Sequence, residues 1–156
     1  MKYAGHSEIH NAMKRNLIER MGDEVHQYAF PPPIFDHMQG EYRHLDLDAG
    51  RMIIRFPFFE HYLNPYGVMQ GGVIAAAVDN TIGPLSVLLA PPNVTRRLEI
   101  TYSKPVSSDM EYIDVEAIFK SREGQMLEFR FNVFSPNGRK LVRGKSTNWI
   151  IENEEN

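Results

Sequence analysis

The stretch Asn64-Pro65-Tyr66-Gly67-Val68-Met69-Gln70-Gly71-Gly72-Val73-Ile74-Ala75-Ala76-Ala77-Val78-Asp79-Asn80 is a turn-rich loop that runs into an apolar segment. The apolar segment continues to Leu89, and its length and alanines predict one long helix from Gly71 to Leu89. Gly83-Pro84 should kink or break this helix. Because the helix is apolar on nearly every side, we expect the rest of the fold to wrap around it.

Predicted strands come before and after this helix in the sequence, and we expect them to form the sheet that wraps it. Tyr42 to Asp46 and Arg51 to Phe58 predict a hairpin joined by Asp48-Ala49-Gly50. Apolar and charged residues alternate in the later strands, which predicts an antiparallel sheet with one buried face. These four strands are Val94 to Ser103, Glu111 to Phe119, Gln125 to Phe134 and Lys140 to Ile151. The sequence therefore predicts an α+β fold, a long central helix wrapped by a curved antiparallel sheet.

The N-terminal part is predicted to be helical. Apolar residues recur every four positions from Ile9 to Met21, which predicts a helix over Ser7 to Met21 that Gly22 ends. The segment Phe30-Pro31-Pro32-Pro33 is a stiff connector, and a short helix over Ile34 to Met38 follows it. We divide the 156 residues into an N-terminal helical extension (1–40), one domain (41–151) and a polar tail (152–156).

Composition excludes several classes of protein. The hydrophobic fraction of 42% and charged fraction of 24% are typical of globular chains and not of disordered ones. The net charge of −3 gives no indication of nucleic acid or of an anionic membrane as a partner. With no cysteine, a thiol nucleophile and thiolate-bound metals are excluded. The sequence begins without the apolar core of a signal peptide, so we expect a cytoplasmic protein.

The sequence contains few of the common catalytic and metal-binding motifs. The sequence contains no phosphate-binding glycine loop and no Gly-x-Ser-x-Gly element. His6 and His10 are spaced to share a metal on one helix, but no third ligand is evident, so we predict no metal and no cofactor. Arg96-Arg97 could bind phosphates or pair with acidic side chains on neighbouring strands.

Gly71-Gly72 opens the apolar helix, although glycine costs about 1 kcal/mol against alanine in a helix. The pair could let a ligand approach the free backbone N–H groups at the positive end of the helix. It could equally serve only to let the helix pack closely on the sheet. The first interpretation predicts a site that stabilises an oxyanion.

Asp79 is the only ionisable residue of the helix, and an unpaired carboxylate there would be costly. It is either hydrogen-bonded for structural reasons or kept for chemistry, and the polar neighbours Asn80 and Thr81 support a locally wet helix face. Eight residues separate Gly71 from Asp79, which is about 12 Å along a helix. One carbonyl group cannot reach both, so a shared reaction would need a second copy of the helix running the opposite way.

The stretch from Asn64 to Gly72, with Asp79 seven residues later, resembles the pattern Asn-x-x-Gly-x-x-His-Gly-Gly…Asp of hotdog-fold acyl-CoA thioesterases. The similarity is to the phenylacetate-degradation (PaaI-like) branch, akin to 4-hydroxybenzoyl-CoA thioesterases, and covers roughly residues 40–151. The residues that carry it are Asn64, Gly67, Gly71-Gly72, Val78-Asp79-Asn80 and the strand Leu98 to Pro105. The resemblance implies a hotdog fold, an acyl-CoA substrate and a homo-oligomer, either a dimer or a dimer of dimers.

The resemblance also implies roles for single residues. Asp79 would be the general base or nucleophile, and the Gly71 N–H would polarise the thioester carbonyl. Asn64 would lie near the reacting centre, and Thr95 stands where some relatives carry a serine that helps to hold water. We also assign three residues to substrate binding: Gly72, Asn80 and Arg96.

Gln70 departs from the pattern, because the family usually has histidine there. Glutamine donates and accepts hydrogen bonds but does not exchange a proton near neutral pH. Two functions follow: a thioesterase that hydrolyses acyl-CoA at a site shared across a dimer interface, or a non-catalytic acyl-CoA or fatty-acyl binding module. Hydration of enoyl-CoA on the same fold normally needs an aspartate–histidine pair, which the helix motif lacks.

Overall fold

A computed structural model describes residues 1–151, and the predicted polar tail (152–156) lies outside the described residues. The helices are α1 (His6–Met21), α2 (Pro33–His37) and α3 (Gly71–Leu89). The strands are β1 (Lys2–Ala4), β2 (Glu41–Asp46), β3 (Arg51–Pro57), β4 (Asn93–Tyr102), β5 (Tyr112–Glu123), β6 (Met126–Phe134) and β7 (Lys140–Ile150). All predicted helices and strands are present, and β1 was not predicted.

The seven strands form one antiparallel sheet in the order β1-β2-β3-β5-β6-β7-β4. The chain leaves the sheet after β3, forms α3, and returns at the far edge as β4. Strands β1 and β4 are therefore the two edges. On β4 the alternation places Leu98, Ile100 and Tyr102 opposite Ser146, Gly144 and Val142 of β7, as the sequence predicted for one shared face.

The two faces of the sheet differ in chemistry. The inner face carries fully buried apolar side chains, among them Ile54, Phe56 and Phe129. On the outer face the Arg55 guanidinium donates two hydrogen bonds to the Asp114 carboxylate, at 2.8 and 2.9 Å. This division confirms the predicted α+β architecture with one buried side.

Helix α3 lies on the inner face of the sheet as the predicted central helix, but within residues 1–151 one strip of it is left uncovered. Its positions Ile74, Ala77 and Val78 are buried, whereas Gly72 and Asp79 are exposed. Between Gly72 and Asp79 this strip carries glycine and alanine, which count as apolar in the sequence, although no other element of residues 1–151 covers the strip. By length and hydropathy (1.5) α3 could also cross a membrane, and half of that window is buried inside the protein.

Helix α3 runs from Gly71 to Leu89 through Gly83-Pro84, so of the two predicted effects, a kink or a break, the break was wrong. Proline removes one helical N–H, which costs the helix a backbone hydrogen bond. The flanking Ile82 and Leu85 are fully buried in the core, and their packing offsets this loss.

The N-terminal segment packs against the sheet and α3. Ile9, Met13 and Leu17 of α1 are buried in the same core as α3. Gly22 ends α1 with a positive φ of 56°, as predicted, and a 3-10 helix over Gly22–Gln27 follows it. Strand β1 pairs with β2, so this segment also contributes an edge strand to the sheet.

Helix α2 ends in a hydrogen-bonded turn that requires one left-handed residue. The Gly40 N–H donates to the Phe35 carbonyl (3.1 Å) and the Gln39 N–H to the Asp36 carbonyl (3.0 Å), the pattern of a Schellman motif. Gln39 takes the left-handed position with φ of 52°. The glycine and the glutamine could not swap positions, because a Cβ at position 40 would lie 2.5 Å from the Phe35 ring.

We therefore expect Gln39→Gly to raise the free energy of unfolding by about 0.5–1 kcal/mol, since glycine accepts this conformation without steric cost. Gly40→Ala should lower it, because the added methyl group meets the Phe35 ring. Urea unfolding followed by circular dichroism measures both changes. An unchanged or reduced stability of Gln39→Gly would contradict this account of the turn.

Candidate active site

Asp79 and Thr95 form a direct contact between α3 and β4. The Thr95 hydroxyl donates a hydrogen bond of 2.7 Å to one carboxylate oxygen of Asp79. Both residues are exposed, so the second carboxylate oxygen can reach water or a ligand. A carboxylate that is held by one oxygen and free at the other is suited to accept a proton from a water molecule.

A β-bulge at Arg96 sets which way its neighbours point. Thr95 pairs with Asn148 and Arg97 with Thr147, so Arg96 is the extra residue. The Arg96 guanidinium stacks on the Trp149 ring, 4.6 Å from its centre. Trp149 alternates with the buried Asn148 along β7, so Arg96 lies on the outer face, away from Asp79.

The first glycine of α3 has a packing role. A Cβ at Gly71 would lie 3.2 Å from the ring and hydroxyl of Tyr102, whose hydroxyl donates to the Gly71 carbonyl at 2.8 Å. Burial raises the pKa of Tyr102 above its ordinary value, so the hydroxyl keeps its proton at neutral pH. Gly71 therefore allows close helix–sheet packing, which was one of the two interpretations of the glycine pair.

Gly72 differs from Gly71, because a Cβ there would meet no atom within 4 Å. It lies on the exposed strip of α3, and packing within this chain does not explain its choice. The second interpretation of the glycine pair, approach of a ligand to free backbone N–H groups, stays open at both glycines, because the Tyr102 contacts involve the Cα and the carbonyl of Gly71 and not its N–H.

Asn64 shapes the loop that leads into α3. Its side-chain oxygen accepts hydrogen bonds from the backbone N–H groups of Tyr66 (2.9 Å) and Val68 (3.3 Å). Gly67 completes the turn with φ of 78°. Gln70 follows as the exposed residue before α3, and no side-chain hydrogen bond caps the helix there. Asn64 and Gln70 thus lie at the Gly71 end of the helix.

Asn80 is already engaged by its own helix. Its side-chain amide donates to the Ala76 carbonyl at 2.9 Å and contacts the Met38 sulfur at 3.9 Å. The assignment of Asn80, Gly72 and Arg96 to substrate binding remains a prediction.

The structure thus contains two groups of predicted residues. Asp79, Thr95 and Asn80 lie together near the middle of α3, and Asn64, Gln70 and Gly71 lie at its start. The eight residues between Gly71 and Asp79 separate the groups by about 12 Å along the helix axis. Within residues 1–151 no set of three His, Asp or Glu side chains is placed to hold a metal ion.

A cleft of about 870 Å³ opens beside Asp79 and Thr95. The C-terminal half of α3 and the start of β4 form one wall, and the segment from Leu17 to Ile34 forms the other. Sequence reasoning left two roles open for the N-terminal residues, as a cover for the sheet or as part of the acyl pocket; it named no single residue of this second wall, and it missed Tyr102. After Met21 the sequence of this wall shows no helical or strand periodicity of apolar residues. Tyr102 follows the same alternation as the other inward residues of its strand, so nothing in the sequence singled it out.

The two glycines provide a matched pair for testing this geometry. Gly72→Ala should leave the protein at least as stable as the natural chain, since alanine favours the helix and meets no neighbour. Gly71→Ala should be less stable than Gly72→Ala by about 1 kcal/mol or more, because its methyl group crowds Tyr102. Chemical unfolding at one protein concentration compares them, and equal stabilities would refute the packing role of Gly71.

Comparison with known proteins bears on the fold. No family model matches the sequence. A Saccharolobus solfataricus protein, whose name describes it as a putative esterase, is 29% identical over 89 residues. That alignment covers 56% of this chain and 64% of the length of that protein, less than two thirds of it.

Solved structures extend the similarity. The E. coli PaaI protein from the phenylacetic acid degradation operon superposes with a TM-score of 0.74 at 10% identity, over 92% of this chain and 96% of its own. A hypothetical thioesterase from Streptococcus pneumoniae, solved with coenzyme A, has a TM-score of 0.63 at 18% identity, over 69% of this chain and 83% of its own. These superpositions confirm the expected architecture: the chain has the hotdog fold of the PaaI-like thioesterases.

Proposed function

We propose that this protein hydrolyses an acyl-CoA thioester to the free acid and CoA. The observation that carries the proposal is the Asp79 carboxylate, oriented by Thr95 and open to an adjoining cleft. Similarity in fold to a protein named as a thioesterase and solved with coenzyme A supports the choice of substrate class. Since CoA is an intracellular carrier, we expect a cytoplasmic enzyme.

In the proposed reaction, Asp79 removes a proton from water as the water oxygen attacks the thioester carbonyl carbon. The carbonyl oxygen becomes an oxyanion, which accepts a hydrogen bond from a Gly71 N–H. The C–S bond then breaks, and the departing thiolate takes the proton from Asp79, which restores the carboxylate. Alternatively Asp79 attacks the carbonyl itself, and water hydrolyses the resulting anhydride.

A twofold dimer brings the two groups of site residues together in this proposal. Two antiparallel copies of α3 that cross near Ala75 would place Asp79 beside the partner subunit's Gly71. The open strip on α3 supports such a pairing, because Gly72 is exposed and Ala75 and Ala76 are only half-buried. Strand β4 is an edge whose inward Leu98 is incompletely covered, which offers a second surface for the partner.

Gln70 favours a second candidate function, a binding module that holds acyl-CoA without turnover. Its amide cannot shuttle a proton. Thioester hydrolysis does not require such a shuttle, since a thiol with a pKa near 8.5 leaves readily as thiolate. The wild-type protein separates the two functions: binding of acyl-CoA without release of CoA, over a broad acyl panel, would establish the module.

We expect Asp79→Asn to lower kcat by at least about 100-fold, because the amide keeps the shape of the carboxylate but cannot accept the proton. Affinity for CoA, measured by calorimetry, should change little. Thr95→Val should cost less, since it removes only the group that orients Asp79. Turnover of Asp79→Asn within a few-fold of wild type, followed by CoA release, would show that another group does the chemistry.

A mixing experiment tests the shared site. We expect two variants to be inactive when each is assayed alone. Asp79→Asn lacks the base, and in Gly72→Val the added side chain keeps the thioester from the start of α3. Equal mixing should restore about a quarter of the wild-type activity, because half of the dimers are mixed and each has one intact site. Failure to recover activity, although labelled subunits are seen to exchange, would rule out a site built from two subunits.

A further inference from the structure

The wall of the cleft formed by the N-terminal segment is anchored to α3. Leu17, at its start, is 4% exposed and belongs to the core. The Arg20 guanidinium donates hydrogen bonds to the carbonyls of Val87 (2.5 Å) and Ala90 (2.9 Å) at the end of α3. These carbonyls have no helical partner of their own, so Arg20 serves as a cap for the helix. These contacts hold the start of the wall against the end of α3.

The surface that this wall presents to the cleft is mainly apolar. Met21 and Val25 pack partly against the core, and Tyr28 and Phe30 extend the same side of the cleft. Tyr28 remains 46% exposed. Across the cleft, Pro84 and Val87 of α3 add further apolar surface. A volume of about 870 Å³ lies within the range of sites that hold drug-sized ligands.

The charges around the cleft restrict its occupant. Its charged side chains are Arg20, Glu24 and Asp79. Arg20 uses two of its N–H groups on carbonyls at the end of α3, and its one positive charge faces two carboxylates, so the balance of charge is negative for a ligand carboxylate that enters the cleft. Glu24 and Asp79 would repel such a carboxylate, because like charges at close range are unfavourable.

We propose that this cleft is the acyl-group pocket and that the N-terminal wall selects an uncharged, apolar acyl group. Acyl groups with a second carboxylate are rejected. The proposal rests on the proposed thioesterase function, since the reacting carbonyl must lie at Asp79. It assigns to the N-terminal segment a specificity role that the motif on α3 does not supply.

Ala29 and Gln27 allow a matched test. Both are exposed residues of the N-terminal segment, but only Ala29 lines the cleft. Neither residue belongs to the core, so both variants should fold. Phenylalanine at position 29 narrows the cleft, whereas phenylalanine at position 27 adds the same side chain outside it.

The experiment measures kcat/KM by CoA release for acetyl-, hexanoyl-, decanoyl- and glutaryl-CoA. In the wild type, decanoyl-CoA should exceed glutaryl-CoA at least tenfold. Ala29→Phe should lower the ratio of decanoyl- to acetyl-CoA activity at least tenfold, and Gln27→Phe should leave this ratio unchanged. Equal losses for all acyl groups, or no change in the ratio, would overturn the pocket assignment.

Binding of the free acids separates this proposal from the proposed function. Displacement of a fluorescent fatty-acid probe should show decanoic acid binding more tightly than decanedioic acid, and Ala29→Phe should weaken the former. This result without any CoA release would retain the pocket and reject hydrolysis. CoA release whose acyl preference is the same in Ala29→Phe as in the wild type would retain hydrolysis and reject the pocket. A change of oligomeric state in Ala29→Phe, seen by sedimentation, would instead make the wall a contact between copies of this chain.

Discussion

Helix α3 buries Ile74, Ala77 and Val78 against the inner face of the sheet, and this packing fixes the rotation of the helix about its axis. Gly72 and Asp79 are seven residues apart, nearly two full turns, so both must lie on one side. That side faces away from the buried residues. A rotation by one residue, about 100°, would carry the Asp79 carboxylate toward the core at a large desolvation cost. The accessibility of Asp79 and its contact with Thr95 both depend on this packing.

Much of this arrangement could be predicted from the sequence. Alternation along β4 and its neighbours placed Leu98, Ile100 and Tyr102 on one face, and the structure has them there. The family pattern indicated Asp79 and Thr95 as site residues, and the structure joins them by a hydrogen bond. The strand prediction succeeded because the alternation of apolar and polar residues is a local property of each strand. The catalytic roles of Asp79 and Thr95 stay predictions.

What the sequence could not provide depends on contacts between distant segments. Alanine and glycine are common both in cores and in open surfaces, so their hydropathy could not show that one strip of α3 is uncovered. The continuity of α3 through Pro84 depends on core packing at Ile82 and Leu85, which outweighs the local preference to break. The N-terminal wall is held by Arg20, whose bonds to carbonyls 67 and 70 residues away leave no trace in any local pattern.

Gln70 bears on which kind of ester bond the proposed site can hydrolyse. Asp79 is the carboxylate at the site, and Tyr102 keeps its proton in a bond to the Gly71 carbonyl. Gln70 stands where the family pattern has histidine, and its amide does not supply a proton near neutral pH. An oxygen ester releases a strongly basic alkoxide that needs a proton as it leaves, whereas the thiolate of CoA leaves without one. In the proposed reaction Asp79 is the one group that takes up a proton, and it returns that proton only as the thiolate departs. Such a site favours thioesters over oxygen esters, because the leaving group of a thioester needs no separate acid.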